Sequence, residues 1–260
     1  MSSVLPSPRA FADCRDITNG PVILLASGTS AKNFPIAEFA HVPVIAMNGS
    51  ISLLLEAGIA PFFYACTDRD FARQQPELFS LAMEKSQRIA LWKDQYENLQ
   101  PPPKGEVFLL RKVRDLSFLQ RLLSNEQALV RSRNSFDKRA RSLGFSKDLQ
   151  QGFFDARTVA YVALQIAYHV GFTQVFLVGV DLQQSAGRFY EQEGSDKSPC
   201  GLDQHFQGRI LPSFELTARQ VVGDRFRIYN LSATSRIPDD VIPKITLDRF
   251  RAMVELPPQP

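Results

Sequence analysis

Three polar side chains follow an apolar run in the second half of the chain. Residues 175–178 are all apolar, and the run is short enough to be a strand covered on both faces. Asp181 comes soon after it, followed by Arg188 and Tyr190. Ligands of open parallel sheets bind at the carboxyl ends of the strands, so these three groups arriving together indicate a binding site. Asp181 is equally expected as an ordinary turn residue and Arg188 as a solvated cation.

Small or polar residues also follow three apolar runs in the first half of the chain. Residues 27–30 come after the run 21–26, Asn48 comes after the run 42–47, and Asp68 comes after the run 61–66. A βαβαβ half-sheet would place all three followers along one edge. The turn Ser-Gly-Thr-Ser at 27–30 should open a helix, whose N-terminal N–H groups attract phosphate. It matches neither the Rossmann fingerprint nor a Walker loop, so a plain tight connection is the alternative.

The residues just before the run at 175–178 have helical periodicity. Val159, Val162, Ala163, Ile166 and Ala167 recur at intervals of three and four, which predicts a helix with one buried face. A glycine, Gly171, stands where a left-handed C-cap is expected. The alternation of strands and helices predicts an α/β fold, namely a doubly wound, Rossmann-like, mostly parallel sheet with a small lid segment.

The predicted organisation has four parts. They are a loose N-terminal arm with a short helical segment (1–20), a nucleotide-binding core (21–182), a lid or acceptor segment (183–211), and a helix-strand-helix that completes the core (212–260). Further strands are predicted at 88–92, 107–110 and 226–231. Further helices are predicted at 51–56, 76–86, 116–129 and 212–222, and residues 242–256 should finish with a short amphipathic helix.

Composition narrows the class of protein. The 260 residues fit one large α/β domain, and the net charge of +3 argues against nucleic acid while suiting anionic substrates or an anionic membrane surface. The chain has three scattered cysteines, Cys14, Cys66 and Cys200. Their small number and spacing indicate a reducing compartment and argue against both a disulfide framework and a zinc site. Without a signal-peptide pattern or an apolar stretch of spanning length, we expect a cytoplasmic protein, with peripheral membrane contact left open.

Two further patterns carry weaker signals. Asp68-Arg-Asp70 is similar to the paired carboxylates with which nucleotide-sugar transferases hold a metal, but no other cluster of oxygen ligands accompanies it. The basic segment 131–141 is either a solvated loop, the more common outcome, or a lid or patch for phosphorylated lipid.

Taken together, the motifs resemble a known family. They are Ser27-Gly-x-Ser30, Ile45-Ala-Met-Asn-Gly-Ser50, Pro61-Phe-Phe-Tyr-x-x-Thr-Asp68, Thr158-Val-Ala-x-x-Ala-x-Gln-Ile-Ala-Tyr168, Gly179-Val-Asp-Leu182, Arg188-Phe-Tyr190 and Tyr229-Asn-Leu-Ser232. This combination, spread from about residue 22 to residue 245, resembles the lipopolysaccharide core family RfaZ or WaaZ. Its members transfer the sugar acid Kdo and add a third Kdo to the inner core. The resemblance therefore implies a CMP-Kdo donor, a Kdo-bearing lipid A or inner-core acceptor, and work at the inner-membrane surface.

A more distant similarity runs to bacterial sialyltransferases that use CMP-sialic acid. Their corresponding loops read Gly-Asn-Gly-Pro-Ser, Asn and Gly-Ile-Asp, and CMP-sialic acid is chemically close to CMP-Kdo. That similarity implies a doubly wound sheet with a lid and chemistry without a metal or other cofactor. The present chain departs from the pattern, because residues 27–30 lack the Asn and the Pro, and Gln183 replaces a Tyr near the donor phosphate.

The resemblance assigns roles to particular residues. A transfer from CMP-Kdo requires donors that hold the departing CMP phosphate, and neutral partners for the cytidine and ribose. Asn48 suits the nucleoside. The other donor-binding candidates are Ser27, Gly28, Thr29, Ser30, Thr158, Gly179, Arg188 and Tyr190.

The acceptor hydroxyl needs a base, and histidine suits this role near neutral pH. Of the three histidines, His41 precedes a strand, and His169 ends the central helix, where a C-terminal cap is expected. His205 lies in the polar lid segment and is the candidate base, an exposed loop histidine being the alternative. Asp181 and Asp203 are the substitutes, although Asp181 can instead be structural.

Two other functions stay open at this point. One is a nucleotide- or phosphosugar-binding protein of the same fold without catalysis. The other is a different CMP- or pterin-type transfer on a related scaffold, because fold alone does not determine chemistry.

Overall fold

A computed structural model describes residues 5–114, 127–132, 142–185, 187–190 and 201–255. Within these ranges the strands are β1 (Pro21–Leu25), β2 (Val44–Met47), β3 (Phe63–Ala65), β4 (Arg88–Leu91), β5 (Glu106–Leu109), β6 (Leu129–Arg131), β7 (Gly144–Ser146), β8 (Gln174–Val178) and β9 (Arg227–Asn230). The α-helices are α1 (Ile51–Glu56), α2 (Phe71–Gln74), α3 (Pro76–Lys85), α4 (Lys93–Glu97), α5 (Val159–Val170), α6 (Leu202–His205), α7 (Leu211–Gln220) and α8 (Leu247–Glu255).

Seven strands form one parallel sheet in the order β5-β4-β3-β2-β1-β8-β9. The chain winds outward from β1 to β5 and then returns to the other side of β1. Neighbouring strands β1 and β8 therefore lead in opposite directions across the sheet, and this reversal opens a crevice at their carboxyl ends. Leu25 at the end of β1 pairs with Val178 at the end of β8. The predicted doubly wound α/β fold is confirmed.

The sheet is buried on both faces. Val22 and Leu24 of β1 pack into one apolar cluster with α5 and α7, whereas Ile23 and Leu25 pack into another with α1, α3 and α8. This alternation follows from the two-residue period of a strand. None of the helices in the described ranges is long and apolar enough to cross a membrane.

Helix α5 is the central helix predicted from periodicity, and two of its side chains position the segment in front of it. Gln165 is fully buried; its Oε1 accepts from the backbone amides of Ser146 (3.0 Å) and Phe154 (2.9 Å), and its Nε2 donates to the carbonyl of Phe154 (2.9 Å). The Tyr161 hydroxyl lies 2.9 Å from the carbonyl of Gly144. Because these bonds replace lost water contacts, the segment before α5 and strand β7 are held in one arrangement. Gly171 adopts φ 106° and caps the helix as predicted.

Several predicted elements need correction. The helix predicted over 116–129 falls mostly outside the described residues, but its last residue, Leu129, lies in β6 and pairs with Ser146 of β7. Leu129 and Val130 are buried there, so tertiary packing decides their conformation. Of the basic segment, Arg131 ends β6, while residues 133–141 lie outside the described ranges. The N-terminal arm is not loose, because the amide of Arg9 donates to the carbonyl of Val107 (2.7 Å) and Phe11 is buried.

A non-α-helical turn joins α6 to α7. Residues Phe206–Ile210 form a π-helical segment in which the amide of Leu211 donates to the carbonyl of Phe206. Helix α6, this segment and α7 therefore run on without a break from residue 202 to residue 220. Such segments are uncommon and are frequent near functional sites.

His169 attaches the N-terminal arm to the core. The prediction that it caps its own helix was wrong. Its Nδ1 accepts from the amide of Leu149 (3.2 Å), and its Nε2 donates to the carbonyl of Phe11 (2.7 Å). Burial lowers the pKa of His169, although the Phe11 carbonyl and Asp148 oppose this shift. The neutral ring is therefore the form that fits the folded protein.

We expect the stability to fall as the pH decreases below about 6.5, the usual pKa of an unfolded histidine. Below that pH the unfolded chain takes up a proton at His169 that the folded chain resists, which removes up to about 1.4 kcal/mol per pH unit. His169→Gln keeps a donor and an acceptor but cannot titrate. Chemical denaturation at pH 8.0, 6.5 and 5.5 gives the free energy of unfolding of both proteins. The excess of the wild type over the variant should decrease at low pH, because only the wild type loses stability through this histidine. An excess that stays constant with pH would contradict this account.

Gly28 sits where the loop after β1 crosses the loop after β8. Its amide donates to the carbonyl of Gly179 (2.9 Å), and a Cβ at this position would lie 2.4 Å from that oxygen and 2.5 Å from Asp181 Oδ2. The two loops approach this closely only because residue 28 has no side chain.

We predict that Gly28→Ala destabilises the fold by about 1–3 kcal/mol, the usual cost of overpacking a tight site. Gly223→Ala is the matched control, since a Cβ there meets nothing within 4 Å. Urea denaturation at pH 8.0 measures both variants. Equal midpoints for Gly28→Ala and the control would show that the two loops can separate at little cost.

Candidate functional site

A cleft of about 1000 Å³ opens at the carboxyl ends of the strands, where β1 and β8 diverge. The loops after β1, β2, β3, β4 and β8 line it, together with the N-terminus of α5 and residues 183–185, 187 and 188. Eight predicted site residues line it: Ser27, Gly28, Asn48, Thr158, Gly179, Asp181, Arg188 and His205. Four others do not: Thr29, Ser30, Tyr190 and Asp203.

The N-terminus of α5 faces the cleft. Thr158 is its N-cap residue, with an extended backbone (φ −144°), and its side chain forms no capping hydrogen bond in the described structure. Thr158, Val159 and Ala160 all line the cleft. The first amides of a helix have no partner within it and carry a partial positive charge. This end of a 12-residue helix is therefore suited to hold an anionic group.

The turn at residues 27–30 plays a different part from the one predicted. It opens only a single 3-10 turn, Thr29–Ala31, and the amide of Ser30 donates to Asp181 Oδ2 (3.0 Å). That amide is therefore used within the protein. The helix N-terminus that lines the cleft belongs to α5.

Asp181 connects the loops that follow three strands. Its side chain is buried (4% exposed) and accepts from the amide and hydroxyl of Ser30 and from the hydroxyl of Thr29 (3.5 Å). The hydroxyl of Ser30 in turn lies 2.8 Å from that of Ser232, which follows β9. Both carboxylate oxygens are engaged by the turn, so the geometry favours the structural alternative for Asp181 over a role as base.

Asn48 lines the cleft and contains a buried acceptor. Its backbone is left-handed (φ 46°), a conformation in which Asn is enriched, and the Tyr64 hydroxyl donates to its carbonyl (3.2 Å). The side-chain Oδ1 is buried, and no group of the described residues donates to it. An unsatisfied buried acceptor costs about 1–3 kcal/mol, which a ligand donor would recover.

His205 and Asp203 share helix α6 but differ in surroundings. The His205 ring is half-buried on the cleft wall beside Gly201. Asp203 instead forms an ion pair with Arg236, whose guanidinium lies 3.8 Å from the centre of the Phe206 ring. The geometry therefore favours His205 over Asp203 as a group that meets a ligand.

The segment after β8 folds back over the cleft. Arg188 forms an isolated antiparallel bridge with Gly28, and the amide of Phe189 donates to the carbonyl of Ser27 (3.2 Å). Tyr190 packs against Phe71 and covers the backbone of Gly49, where a Cβ would lie within 2.5 Å of its ring. Tyr190 thus packs the segment against α2 and the loop after β2.

Residues that follow β4 and β5 line the cleft but were not among the predicted site residues. Trp92 follows β4, its Nε1 donates to the carbonyl of Thr67 (2.9 Å), and the cations of Arg69 and Lys112 lie 5.3 and 5.7 Å from its ring centre. All of these residues line the cleft. The signal was present in the sequence, because strands at 88–92 and 107–110 are also predicted, with a Trp and a Lys at or just beyond their ends.

A cluster of charged residues around Asp155 was also not predicted from the sequence. Asp155 accepts from Lys112 Nζ (2.6 Å) and from the amide of Arg157 (2.8 Å), and Arg157 is left-handed (φ 62°). Burial by itself would raise the pKa of Asp155, but these hydrogen bonds and the two positive charges lower it overall. The carboxylate is therefore charged; it holds the Lys112 ammonium at the edge of the cleft and fixes the backbone of Arg157.

The Asp68-Arg-Asp70 pattern forms a local turn. Asp68 accepts from the amide of Asp70 (3.0 Å), and Asp70 pairs with Arg73 (3.1 Å). Asp68 lines the cleft and Asp70 does not. In the ranges that the structure covers, three or more His, Cys, Asp or Glu residues do not come together in a metal-binding group.

Solved structures show where this fold occurs. A MAf glycosyltransferase from Magnetospirillum magneticum AMB-1 superposes with a TM-score of 0.52 at 14% identity, over 90% of this chain and 34% of that one. The present chain thus spans about a third of that protein, and the likeness concerns the fold. An alpha-2,3/8-sialyltransferase, CstII, gives a TM-score of 0.44 at 14% identity over 85% of each chain, below the level at which a shared fold follows.

The sequence comparisons are more specific. A probable 3-deoxy-manno-octulosonic acid transferase of Escherichia coli (strain K12) is 29% identical over 93% of this chain and 90% of its own length. The protein of the same description from Salmonella typhimurium is 30% identical over 86% of each chain. Residues 13–248 match the family described as 3-deoxy-D-manno-octulosonic acid transferase WaaZ. The chain therefore belongs to the WaaZ family of 3-deoxy-D-manno-octulosonic acid (Kdo) transferases.

Proposed function

We propose that this protein moves Kdo from CMP-Kdo to a Kdo residue of the lipopolysaccharide inner core, adding a third Kdo. The observation that carries the proposal is the convergence of three groups in one cleft: the N-terminus of α5, the buried Oδ1 of Asn48 and the ring of His205. Family membership supports the sugar, and the cleft supports a nucleotide-linked donor and a base.

The donor lies across the crevice between β1 and β8. Its phosphate binds the first amides of α5, and Arg188, which also lines the cleft, adds positive charge. An amino or hydroxyl group of the nucleoside donates to Asn48 Oδ1. Gly28 and Gly179 line the crevice with backbone alone, because neighbouring loop atoms occupy the space that a side chain would take.

The transfer is a direct displacement. The acceptor hydroxyl gives its proton to His205 as its oxygen forms a bond to the anomeric carbon of the donor Kdo, while the bond from that carbon to the phosphate oxygen breaks. CMP leaves with the electron pair, and its negative charge is stabilised by the preorganised amides of α5 and by Arg188. No step in this scheme needs a metal ion.

The proposed acceptor is anchored in a bilayer, so the protein works from the cytoplasm against the anionic face of the inner membrane. The net charge of +3 supports such peripheral contact.

The direct test is transfer by the purified chain to lipid A that bears two Kdo residues, with CMP-Kdo as donor and mass spectrometry as the readout. A product heavier by one Kdo is expected, with and without EDTA. CMP-sialic acid is the comparison donor, and stabilisation by each donor is measured alongside; a ligand at 100 times its Kd adds about 2.7 kcal/mol. Stabilisation by CMP-Kdo without transfer would favour the alternative, a binding protein of this fold.

Asn48→Ala should weaken CMP binding by about 1–3 kcal/mol, because the nucleoside donor loses its buried acceptor. Calorimetry with CMP measures the effect. Asn19→Ala, on the exposed N-terminal arm, is the matched control. Wild-type affinity in the Asn48 variant would remove this residue from the donor site.

His205→Ala should lower turnover by about 10²–10⁴-fold, the usual range for losing a general base. CMP affinity should change little, since proton transfer is needed only in the transition state. His41→Ala, an exposed histidine, is the control. Turnover above about a tenth of wild type would exclude His205 as the base by the same range.

A further inference from the structure

A second cavity adjoins the cleft on the far side of His205. Its volume is about 600 Å³, and it shares Lys112, Phe153, Asp155, Arg157 and His205 with the cleft. The remaining described lining comes from the segment after β5, β6, the segment before β7, the segment before α5, helix α6 and the π-helical turn. His205 is therefore on a wall common to two compartments, each large enough for a sugar.

The second cavity is rich in positive charge. Four cationic side chains and one carboxylate line its described part: Lys112, Arg131, Arg157 and Arg209 against Asp155. The carboxylate of Asp155 is held by Lys112 and by the amide of Arg157, as described above, and its backbone carbonyl accepts from Arg209 Nε (2.8 Å). The excess of cations favours an anionic occupant.

The cations of the second cavity are held in place by neighbouring groups. The guanidinium of Arg131 lies 5.1 Å from the centre of the Phe154 ring, and its Nη2 donates to the carbonyl of Arg114 (3.5 Å). Arg209 is fixed by the Asp155 carbonyl and by the hydroxyl of Ser142. Phe153 and Phe154 are buried and supply an apolar floor. Ordered guanidinium groups beside an apolar surface suit a sugar ring that carries a carboxylate.

The two compartments differ in the anion that they can hold. The N-terminus of α5 lines the cleft and is absent from the described lining of the second cavity. The donor phosphate therefore belongs in the cleft, and the second cavity receives the other substrate. A hydroxyl placed between the two would meet both the donor and the ring of His205.

We propose that the second cavity is the acceptor subsite and that its guanidinium groups bind the carboxylate of the acceptor sugar acid. This inference rests on the proposed function, since it takes the donor to occupy the cleft. It assigns to Arg131, the first residue of the basic segment, a role in acceptor recognition.

The test measures acceptor binding directly, without turnover. The methyl glycoside of Kdo and its carboxyl methyl ester are titrated into the wild-type protein saturated with CMP and followed by NMR. The acid should bind at least about tenfold more tightly than the ester, because charge-assisted hydrogen bonds are lost in the ester. Arg131→Gln should remove most of this preference and leave CMP affinity unchanged.

Arg69→Gln is the matched control, since Arg69 lines the cleft and not the second cavity. It should retain the preference for the acid. Should Arg131→Gln fail to fold, judged by its thermal melt, the exposed Arg157 replaces it as Arg157→Gln. Equal binding of acid and ester, an unchanged preference in the folded variant, or displacement of CMP by the acid would each overturn the proposal.

The binding and transfer results separate the two proposals. If the acid is preferred through Arg131 but no Kdo is transferred, the subsite stands and the proposed function fails. If Kdo is transferred but the ester binds as well as the acid, the function stands and the subsite fails. In a transferring enzyme, Arg131→Gln should also raise the acceptor KM at least about tenfold and leave the donor KM unchanged.

Discussion

The cleft depends on one buried carboxylate. Asp181 draws the turn after β1 to the loop after β8, and the hydroxyl of Ser30 extends the contact to the residue that follows β9. Burying a charge is costly unless hydrogen-bond donors replace its water, and here an amide and two hydroxyls do so. The three loops are therefore joined to one another by the protein's own polar groups. Gly28 is part of the same arrangement, because no side chain fits between Asp181 and the carbonyl of Gly179.

A second set of buried polar groups positions α5. Gln165 satisfies the amide and carbonyl of Phe154, and the Tyr161 hydroxyl reaches β7 and α7. The residues next in sequence are Asp155, which binds the Lys112 ammonium and the backbone amide of Arg157, and Thr158, which begins the helix. The helix N-terminus and the nearby cations are thus positioned from the core, whereas the segment that carries Arg188 is positioned by backbone bonds to the β1 loop.

The sheet was predictable because its signals are local. Short apolar runs followed by polar residues predict the seven parallel strands, and a period of 3.6 residues predicts α5. The predicted bounds lie within a few residues of the observed ones. Eight of the twelve candidate residues line one cleft, and six of these follow parallel strands, which end at one edge of the sheet. The pattern did not reveal that Asp181 and Ser30 are consumed by each other, because a sequence does not show which polar groups are paired across 151 positions. The helix predicted to end at Leu129 was wrong at that residue for a related reason, because Leu129 belongs to a strand that forms only by pairing with β7.

The π-helical turn between α6 and α7 has a consequence for how this family can vary. A turn with one residue more than an α-helix needs can lose that residue without breaking the helix. Such a deletion would rotate α6 relative to α7 by about 100°, the angle between successive residues of an α-helix. His205 would then leave the wall shared by the two cavities, while the ridge of α7 that packs on the sheet stayed where it is. The length of this turn therefore determines where the side chain of His205 lies.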